Sequence, residues 1–246
     1  MGADTIVHVW HAAPGLVSTE EARRSCMDVL DDGERDRMRR FRSAEDAWTY
    51  AAAHALLRSA LSLLAPVAPQ DWRFRSEVGG RPVLDRPDAH RRLQFSLSHT
   101  RGRVAVAVAD ACAVGIDVER AGAGASLLDH PAEFLSRAEV GALERLPAEA
   151  RGERLLACWT LKEALLKATG LGLSAPLREV SFDLDSGAEV QVALPSNLAG
   201  DPAHWRFHRF GTTEGHVVAL AIRCGPSAGL RVRVAEAGTL PLRAVP

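Results

Sequence analysis

Apolar residues recur every three or four positions along one stretch in the first third of the chain. The series consists of Tyr50, Ala53, Leu57, Leu61 and Leu64. This spacing predicts an amphipathic helix, because residues three and four apart share one helix face. Ser43 and Asp46 have the capping-box spacing that would begin the helix, and Pro66 would end it.

Shorter apolar runs bounded by turn residues predict strands. These runs are 5–10, 72–75, 93–97, 103–109, 114–119, 179–184, 189–194, 205–210 and 217–223. Further helices are predicted from Ser136 and from about Gly152, the second ending at Gly170. We expect an α+β fold of two similar subdomains, 1–110 and 111–246, in which the last twenty residues are loosely packed.

Charge and composition narrow the class of protein. The 246 residues carry 30 basic and 31 acidic side chains, so the basic excess typical of nucleic-acid binders is absent. No run of roughly eighteen apolar residues predicts a membrane span, and the first residues do not resemble a signal peptide. The four cysteines are scattered without CxxC pairs and are expected to be reduced. We therefore expect a cytoplasmic protein with neither nucleic acid nor membrane as a partner.

Lysine occurs only in one predicted helix. Of the 30 basic residues, Lys162 and Lys167 are the two lysines. Glu163 and Lys167 are four residues apart and therefore share a helix face. An ordinary surface ion pair is one explanation. The functional alternative is a Glu163 carboxylate that binds metal or acts as a general base, with a Lys167 ammonium that neutralises a phosphate.

Two carboxylates lie on the predicted strand 114–119, whose sequence is VGIDVE. Side chains alternate along a strand, so Asp117 and Glu119 point to one face, roughly 7 Å apart. Carboxylates in this arrangement suit a hard cation such as Mg²⁺. A solvated edge strand with two acidic side chains is the alternative.

Ser98 and His99 lie in the sequence FSLSHT, at the end of a predicted strand. Adjacent strand residues face opposite ways, so His99 could not readily activate Ser98 as a nucleophile. We expect both to donate hydrogen bonds to an anion, with a purely structural histidine as the alternative.

Arginines supply further candidate contacts to an anion. Five of them fall within residues 35–42 and form either a solvated helix face or a patch that binds phosphate. Arg81 stands between Gly80 and Pro82 in a predicted turn, from which it could contact a ligand.

In chain order, these segments resemble those of the 4′-phosphopantetheinyl transferases of the surfactin-synthetase-activating (Sfp) type. The matching motifs are RDRMRRFR, ALLR, GGRP, FSLSHT, VGIDVE, FLSRAEV and WTLKEALLKATGLGL. They span residues 35–173, well over half of the chain. The pattern G-I-D-x-E followed by W-x-x-K-E-A-x-x-K at this separation is the most specific part of the resemblance.

The resemblance implies a monomer of two similar α+β subdomains in a pseudo-twofold arrangement, with coenzyme A in the cleft between them. It implies Mg²⁺-dependent transfer of 4′-phosphopantetheine from coenzyme A to a serine of an acyl or peptidyl carrier protein, releasing adenosine 3′,5′-bisphosphate. The metal ligands it implies are Asp117, Glu119 and Glu163. The catalytic residues it implies are Asp117, Glu163 and Lys167, with either Glu163 or a metal-bound water as the base. The coenzyme A contacts it implies are Arg37, Arg40, Gly80, Arg81, Pro82, Ser98, His99 and Lys167.

The resemblance leaves several assignments open. Glu34 stands where the family often has a basic residue, so the number of contacts to the 3′-phosphate is open. Arg58 is either a ligand contact or structural, and a capping box with Ser136 is a sufficient explanation of Glu139. Two other functions would use the same carboxylates: a Mg²⁺-dependent phosphohydrolase acting on coenzyme A or nucleotides, and a non-catalytic coenzyme A-binding protein.

Overall fold

The structure is a computed structural model and describes residues 5–16, 19–77, 81–172, 175–185, 190–195, 198, 200–225 and 229–242. Backbone contacts divide the chain into two units, Met1–Cys112 with Gly229–Pro246, and Ala113–Ala228. Each unit combines helices with antiparallel strands. The predicted α+β fold is therefore confirmed.

The elements of the described residues are as follows in chain order. The helices are α1 (Glu20–Val29), α2 (Asp32–Met38), α3 (Ala44–Leu64), α4 (Arg137–Glu144) and α5 (Ala148–Thr169). The strands of the first half are β1 (Thr5–Ala12), β2 (Arg73–Ser76), β3 (Pro82–Arg86), β4 (Leu93–Thr100) and β5 (Arg103–Asp110). The strands of the second half are β6 (Ala113–Arg120), β7 (Ser181–Asp183), β8 (Gln191–Ala193), β9 (Trp205–Gly211), β10 (His216–Arg223) and β11 (Leu230–Glu236).

Each unit has one main sheet and one small hairpin. The main sheet of the first unit has the order β11-β1-β5-β4, and β2 pairs with β3. All neighbours in it are antiparallel except β11, which runs parallel to β1. The main sheet of the second unit has the antiparallel order β6-β10-β9, and β7 pairs with β8.

The core of the first unit lies between α3 and the main sheet. Alternation along β5 directs Val104, Val106 and Val108 into this core. The Ser43 side chain accepts a hydrogen bond from the Asp46 backbone and begins α3, as predicted from the capping-box spacing. The helix ends at Leu64, before the predicted terminator Pro66.

Helix α5 forms the centre of the second unit and is buried on two sides. On one side Leu161, Leu165 and Ala168 share a core with residues of β9 and β10. On the other side Leu155, Cys158 and Leu166 pack with Phe134 and Leu135. The helix ends as predicted at Gly170, which adopts a left-handed φ of 73°. It begins four residues earlier than expected from the sequence, immediately after Pro147.

The C-terminal segment belongs to the first unit, which corrects the predicted boundary of 111–246 for the second subdomain. Strand β11 pairs with β1 from Thr5↔Leu230 to His11↔Glu236. Beyond the strand, Ala237 and Leu240 are buried in the core beside α3. The expectation of a loosely packed C-terminus is therefore wrong for residues 229–242. This pairing joins opposite ends of the chain, so no local pattern indicates it.

The cysteines differ from one another in state. Cys26 and Cys158 are buried free thiols, whereas Cys112 and Cys224 are disulfide-bonded. The expectation of four reduced cysteines is therefore wrong for two of them, because spacing along the sequence does not determine pairing.

The described part of the chain contains no helix of the length and apolar character needed to cross a membrane.

Candidate active site

Strand β6 carries the two predicted acidic ligands. Asp117 and Glu119 are two residues apart and therefore share one face of the strand. β6 is an edge strand of its sheet, and its backbone pairs Asp117 with Ala219 of β10. Asp117 is only 4% exposed, whereas Glu119 is half-buried. A carboxylate buried to this extent requires a compensating partner, and α5 supplies one.

Gly115 allows β6 to lie directly against α5. A Cβ atom at this position would be 1.9 Å from the carbonyl oxygen of Ala164 and 2.5 Å from the backbone nitrogen of Ala168. Contacts below 3.0 Å essentially never occur for real Cβ atoms, so only glycine fits. The sequence-based assignment of site residues missed Gly115, although a glycine inside a strand commonly marks a close backbone approach.

Helix α5 places a cation against the acidic strand. The Nζ of Lys167 donates to Oδ1 of Asp117 at 2.7 Å. Glu163 lies one turn earlier on the same helix and therefore on the same face. The structure thus brings together the carboxylates and the lysine that the sequence singled out in the second unit.

The carboxyl group of Glu163 is in an unfavourable environment for its charged form. Burial raises the pKa of Glu163, and the negative charges of Asp117 and Glu119 raise it further. The ammonium of Lys167 partly opposes this rise. Oε1 of Glu163 is buried and accepts no hydrogen bond from any residue that the structure describes. The carboxylate is therefore poised to gain from a proton or a cation.

The donor set can be tested for metal binding. Within the described residues, no three histidine, cysteine, aspartate or glutamate side chains are arranged to hold a metal ion. The donor chemistry nevertheless fits a hard cation, because Asp117, Glu119 and Glu163 offer only carboxylate oxygens. The buried Oε1 of Glu163 and the mutual repulsion of the carboxylates point the same way. In this structure Lys167 is the cation in contact with Asp117.

Ser98 and His99 lie next to each other on β4 in the first unit. Ser98 is buried and His99 is exposed, as expected for adjacent residues of a strand. This geometry agrees with the prediction that His99 does not activate Ser98 as a nucleophile. The strand continues to Thr100, so both residues lie within it rather than beyond its end.

Arg81 and Pro82 lie at the start of β3. The backbone of Glu77 donates to the carbonyl oxygen of Arg81 at 2.9 Å. Both residues line a pocket of about 160 Å³, together with Arg91. Burial lowers the pKa of the Arg81 guanidinium, while the charge of Glu77 opposes this shift. Gly80, the third predicted residue of this turn, lies outside the described residues.

The arginine-rich segment separates into individual environments. The guanidinium of Arg37 lies over the ring of Tyr50, 5.8 Å from its centroid, which is a cation–π distance. The Nε of Arg40 donates to the carbonyl oxygen of Asp36 at 3.3 Å, and Arg39 forms an ion pair with the Asp36 carboxylate. Arg37 and Arg40 are both exposed, so their guanidinium groups are accessible to an anion.

Glu34 and Arg58 are structural. Arg58 is fully buried and donates to Oε2 of Glu34 at 2.8 Å and to Oδ2 of Asp31 at 2.7 Å. Glu34 also completes the capping box of α2 and binds Nδ1 of His54 at 2.7 Å. Burial acts to raise the pKa of Glu34, but His54 and Arg58 outweigh it and lower the pKa. An acidic residue at position 34 therefore has a fold-level explanation.

Comparison with known proteins gives two matching family models. A model described as the 4′-phosphopantetheinyl transferase superfamily matches residues 113–221. A model described as 4′-phosphopantetheinyl transferase, N-terminal, matches residues 17–112. The second match lies within the first structural unit and the first within the second unit.

Similar curated proteins agree with these models. The chain is 30% identical to the 4′-phosphopantetheinyl transferase HetI of Nostoc sp., over 88% of this chain and 87% of that protein. It is 29% identical to the 4′-phosphopantetheinyl transferase Sfp of Bacillus subtilis, over 73% and 77% respectively. A phosphopantetheinyl transferase of Thraustochytrium sp. is 27% identical, over 88% and 78%. The protein is therefore an enzyme of the transferase class. It belongs to the 4′-phosphopantetheinyl transferase family, as the motifs predicted.

Proposed function

We propose that this enzyme transfers the 4′-phosphopantetheine arm of coenzyme A to a serine hydroxyl of an acyl or peptidyl carrier protein and releases adenosine 3′,5′-bisphosphate. The observation that carries this proposal is the contact of β6 with α5, where Lys167 pairs with Asp117 beside the buried carboxylate of Glu163. Group transfer at phosphorus needs stabilisation of developing negative charge and a base for the incoming hydroxyl. The cluster offers a group for each role.

In the proposed reaction, the serine oxygen attacks the β-phosphorus of the coenzyme A pyrophosphate. The new oxygen–phosphorus bond forms as the bond from the β-phosphorus to the bridging oxygen breaks. The bridging oxygen leaves with its electron pair as part of adenosine 3′,5′-bisphosphate. Glu163 accepts the serine proton, and its raised pKa brings its basicity closer to what neutral pH requires. Lys167 stabilises negative charge on the phosphate oxygens.

We propose Asp117, Glu119 and Glu163 as the residues that would hold Mg²⁺. Support comes from their all-oxygen donor set and from the buried Oε1 of Glu163. A bound magnesium ion would supply positive charge to neutralise and orient the pyrophosphate. The same carboxylates draw the Lys167 ammonium toward the reacting phosphate, so the chain itself contributes part of this positive charge.

Residues of the first unit are proposed to bind the remainder of coenzyme A. Arg37 and Arg40 are proposed for the 3′-phosphate, since both guanidinium groups are exposed. His99 is proposed, with Lys167, for the pyrophosphate. The residues proposed for the adenosine end are Gly80, Arg81, Pro82 and Ser98. The basic pocket beside Arg81 supports an anionic ligand in this region.

Product analysis separates transfer from hydrolysis. The enzyme is incubated with coenzyme A and Mg²⁺, with and without an apo carrier protein, and adenosine 3′,5′-bisphosphate is measured by chromatography. We expect release only when the carrier is present. Release without a carrier would identify a phosphohydrolase, and binding of coenzyme A without release under either condition would identify a non-catalytic coenzyme A-binding protein.

We also propose that the enzyme acts as a monomer in the cytoplasm. Both proposals come from the motif resemblance. Light scattering of the purified protein tests the first, with a mass near 26.5 kDa expected. Cell fractionation tests the second, together with the redox state of Cys112 and Cys224, because disulfides are uncommon in reducing compartments.

A further inference from the structure

Lys162, the second lysine of the chain, is entirely buried on α5. It is 0% exposed, and its Nζ has three acceptors at close range. These are the carbonyl oxygens of Leu177 at 2.8 Å and Val180 at 2.6 Å, and Oε2 of Glu139 at 2.8 Å. An ammonium group has three hydrogen-bond donors, so each donor has an acceptor. Lys162 therefore attaches α5 to the segment that leads into β7.

Glu139 connects the same point to two more elements. It occupies the third position of α4, where Oε2 accepts from the backbone nitrogen of Ser136 at 2.7 Å. Its Oε1 accepts from the backbone nitrogen of Phe182, in β7, at 3.0 Å. The start of α4, strand β7 and helix α5 are thus joined through one buried carboxylate and one buried ammonium.

The position of this attachment on the helix gives it a role. Lys162 directly precedes Glu163, and consecutive residues of a helix point about 100° apart. Lys162 thus fixes α5 on one side, while the helix backbone at Ala164 contacts Gly115 of β6. Rotation or sliding of α5 would break the bonds to Leu177 and Val180 and would displace Glu163.

We propose that the buried Lys162–Glu139 pair is a positioning device that sets the rotation and axial position of α5, so that Glu163 and Lys167 meet the acidic face of β6. This inference rests on the proposed function, because it assigns a catalytic consequence to the position of those two side chains. Lys162 and Glu139 are positioning residues: each is bonded into the fold on α5 or α4 and acts on the reaction through the helix.

A purely stabilising pair would behave differently. Breaking a buried ion pair leaves one charge uncompensated, whereas removing both charges avoids that penalty. The double variant Lys162→Met with Glu139→Gln removes both, and glutamine keeps the capping box of α4. If the pair only stabilises the fold, this variant recovers activity together with stability. If it positions α5, stability recovers relative to Lys162→Met alone but the rate does not.

The test compares kcat, KM for the carrier protein and melting temperature for the wild type, Lys162→Met and the double variant. Rates are measured with coenzyme A, Mg²⁺ and an apo carrier protein, at a temperature at which circular dichroism shows each protein to be folded. We expect the double variant to melt above Lys162→Met, with kcat lowered about 100-fold, since a displacement of about 1 Å has this effect. We expect its KM for the carrier to stay near the wild-type value.

Thr160→Val is the matched control. Thr160 is buried on the same helix, but its hydroxyl donates only to carbonyl oxygens of α5 itself, those of Leu156 and Ala157. This variant should keep the wild-type kcat. If the double variant does not fold, Lys162→Arg replaces it, because the bulkier guanidinium keeps the charge but shifts the helix. A wild-type kcat in the folded double variant, or in Lys162→Arg in its place, would overturn the inference. Absence of transfer by the wild type would instead overturn the proposed function.

Discussion

The substitution Gly115→Ala tests whether the contact of β6 with α5 sets up the site. The added Cβ would lie 1.9 Å from the carbonyl oxygen of Ala164, whereas ordinary van der Waals contact begins at 3.4 Å. The strand and the helix must therefore separate by about 1.5 Å, because both contacts are with backbone atoms that cannot rotate away. Overpacking of this kind costs about 1–3 kcal/mol of stability.

The larger effect of Gly115→Ala is expected on the rate. The separation would move Asp117 away from Lys167 and Glu163, and a displacement of about 1 Å can lower a rate about 100-fold. The assay measures kcat from the mass shift of an apo carrier protein, with the free energy of unfolding taken from urea denaturation. Gly141→Ala on α4 is the control, because its Cβ would meet only the end of the Arg145 side chain, at 3.7 Å. A folded Gly115→Ala variant with the kcat of the control would refute this reasoning.

Three further predictions follow from the same contacts. Glu163→Gln should abolish transfer yet raise the melting temperature at neutral pH: the raised pKa of Glu163 means that folding loses stability as pH rises from the ordinary glutamate value to the raised one, so the ionised carboxylate is destabilising above it. A lower melting temperature at pH 7 would contradict this. Arg58→Met should lower the free energy of unfolding by about 3–5 kcal/mol, because Glu34 would keep a buried charge without its guanidinium partner; a loss below about 1 kcal/mol in urea denaturation would show that the pair is dispensable. Leu240→Ala should cost about 2–5 kcal/mol, since Leu240 is 4% exposed in the core of the first unit, and an unchanged urea midpoint would show that the C-terminal segment does not contribute to that core.

Local periodicity is sufficient to predict the elements that carry the candidate site. The alternation of VGIDVE predicts β6 with both acids on one face, and the four-residue spacing of Glu163 and Lys167 places them together on α5. These features depend only on neighbours in sequence.

Features that depend on distant pairing could not be predicted from the sequence. Strand β11 pairs with β1 across the whole length of the chain, and a parallel partner leaves no local signature. Glu139 has the spacing of a capping-box residue, but its bond to Lys162 forms only when α4 and α5 pack. The contact of Arg37 with Tyr50 likewise depends on how α2 packs on α3.

The measurement that tests the central claim most directly is the intact mass of an apo carrier protein after incubation with this enzyme, coenzyme A and Mg²⁺. Parallel reactions contain a chelator or the Lys167→Met variant, which removes the ammonium that pairs with Asp117. We predict a gain equal to one 4′-phosphopantetheine arm in the complete reaction, with the gain lost in both parallel reactions. No gain with either acyl or peptidyl carrier proteins would contradict the proposed transfer, and an undiminished gain with the variant would contradict the role of Lys167.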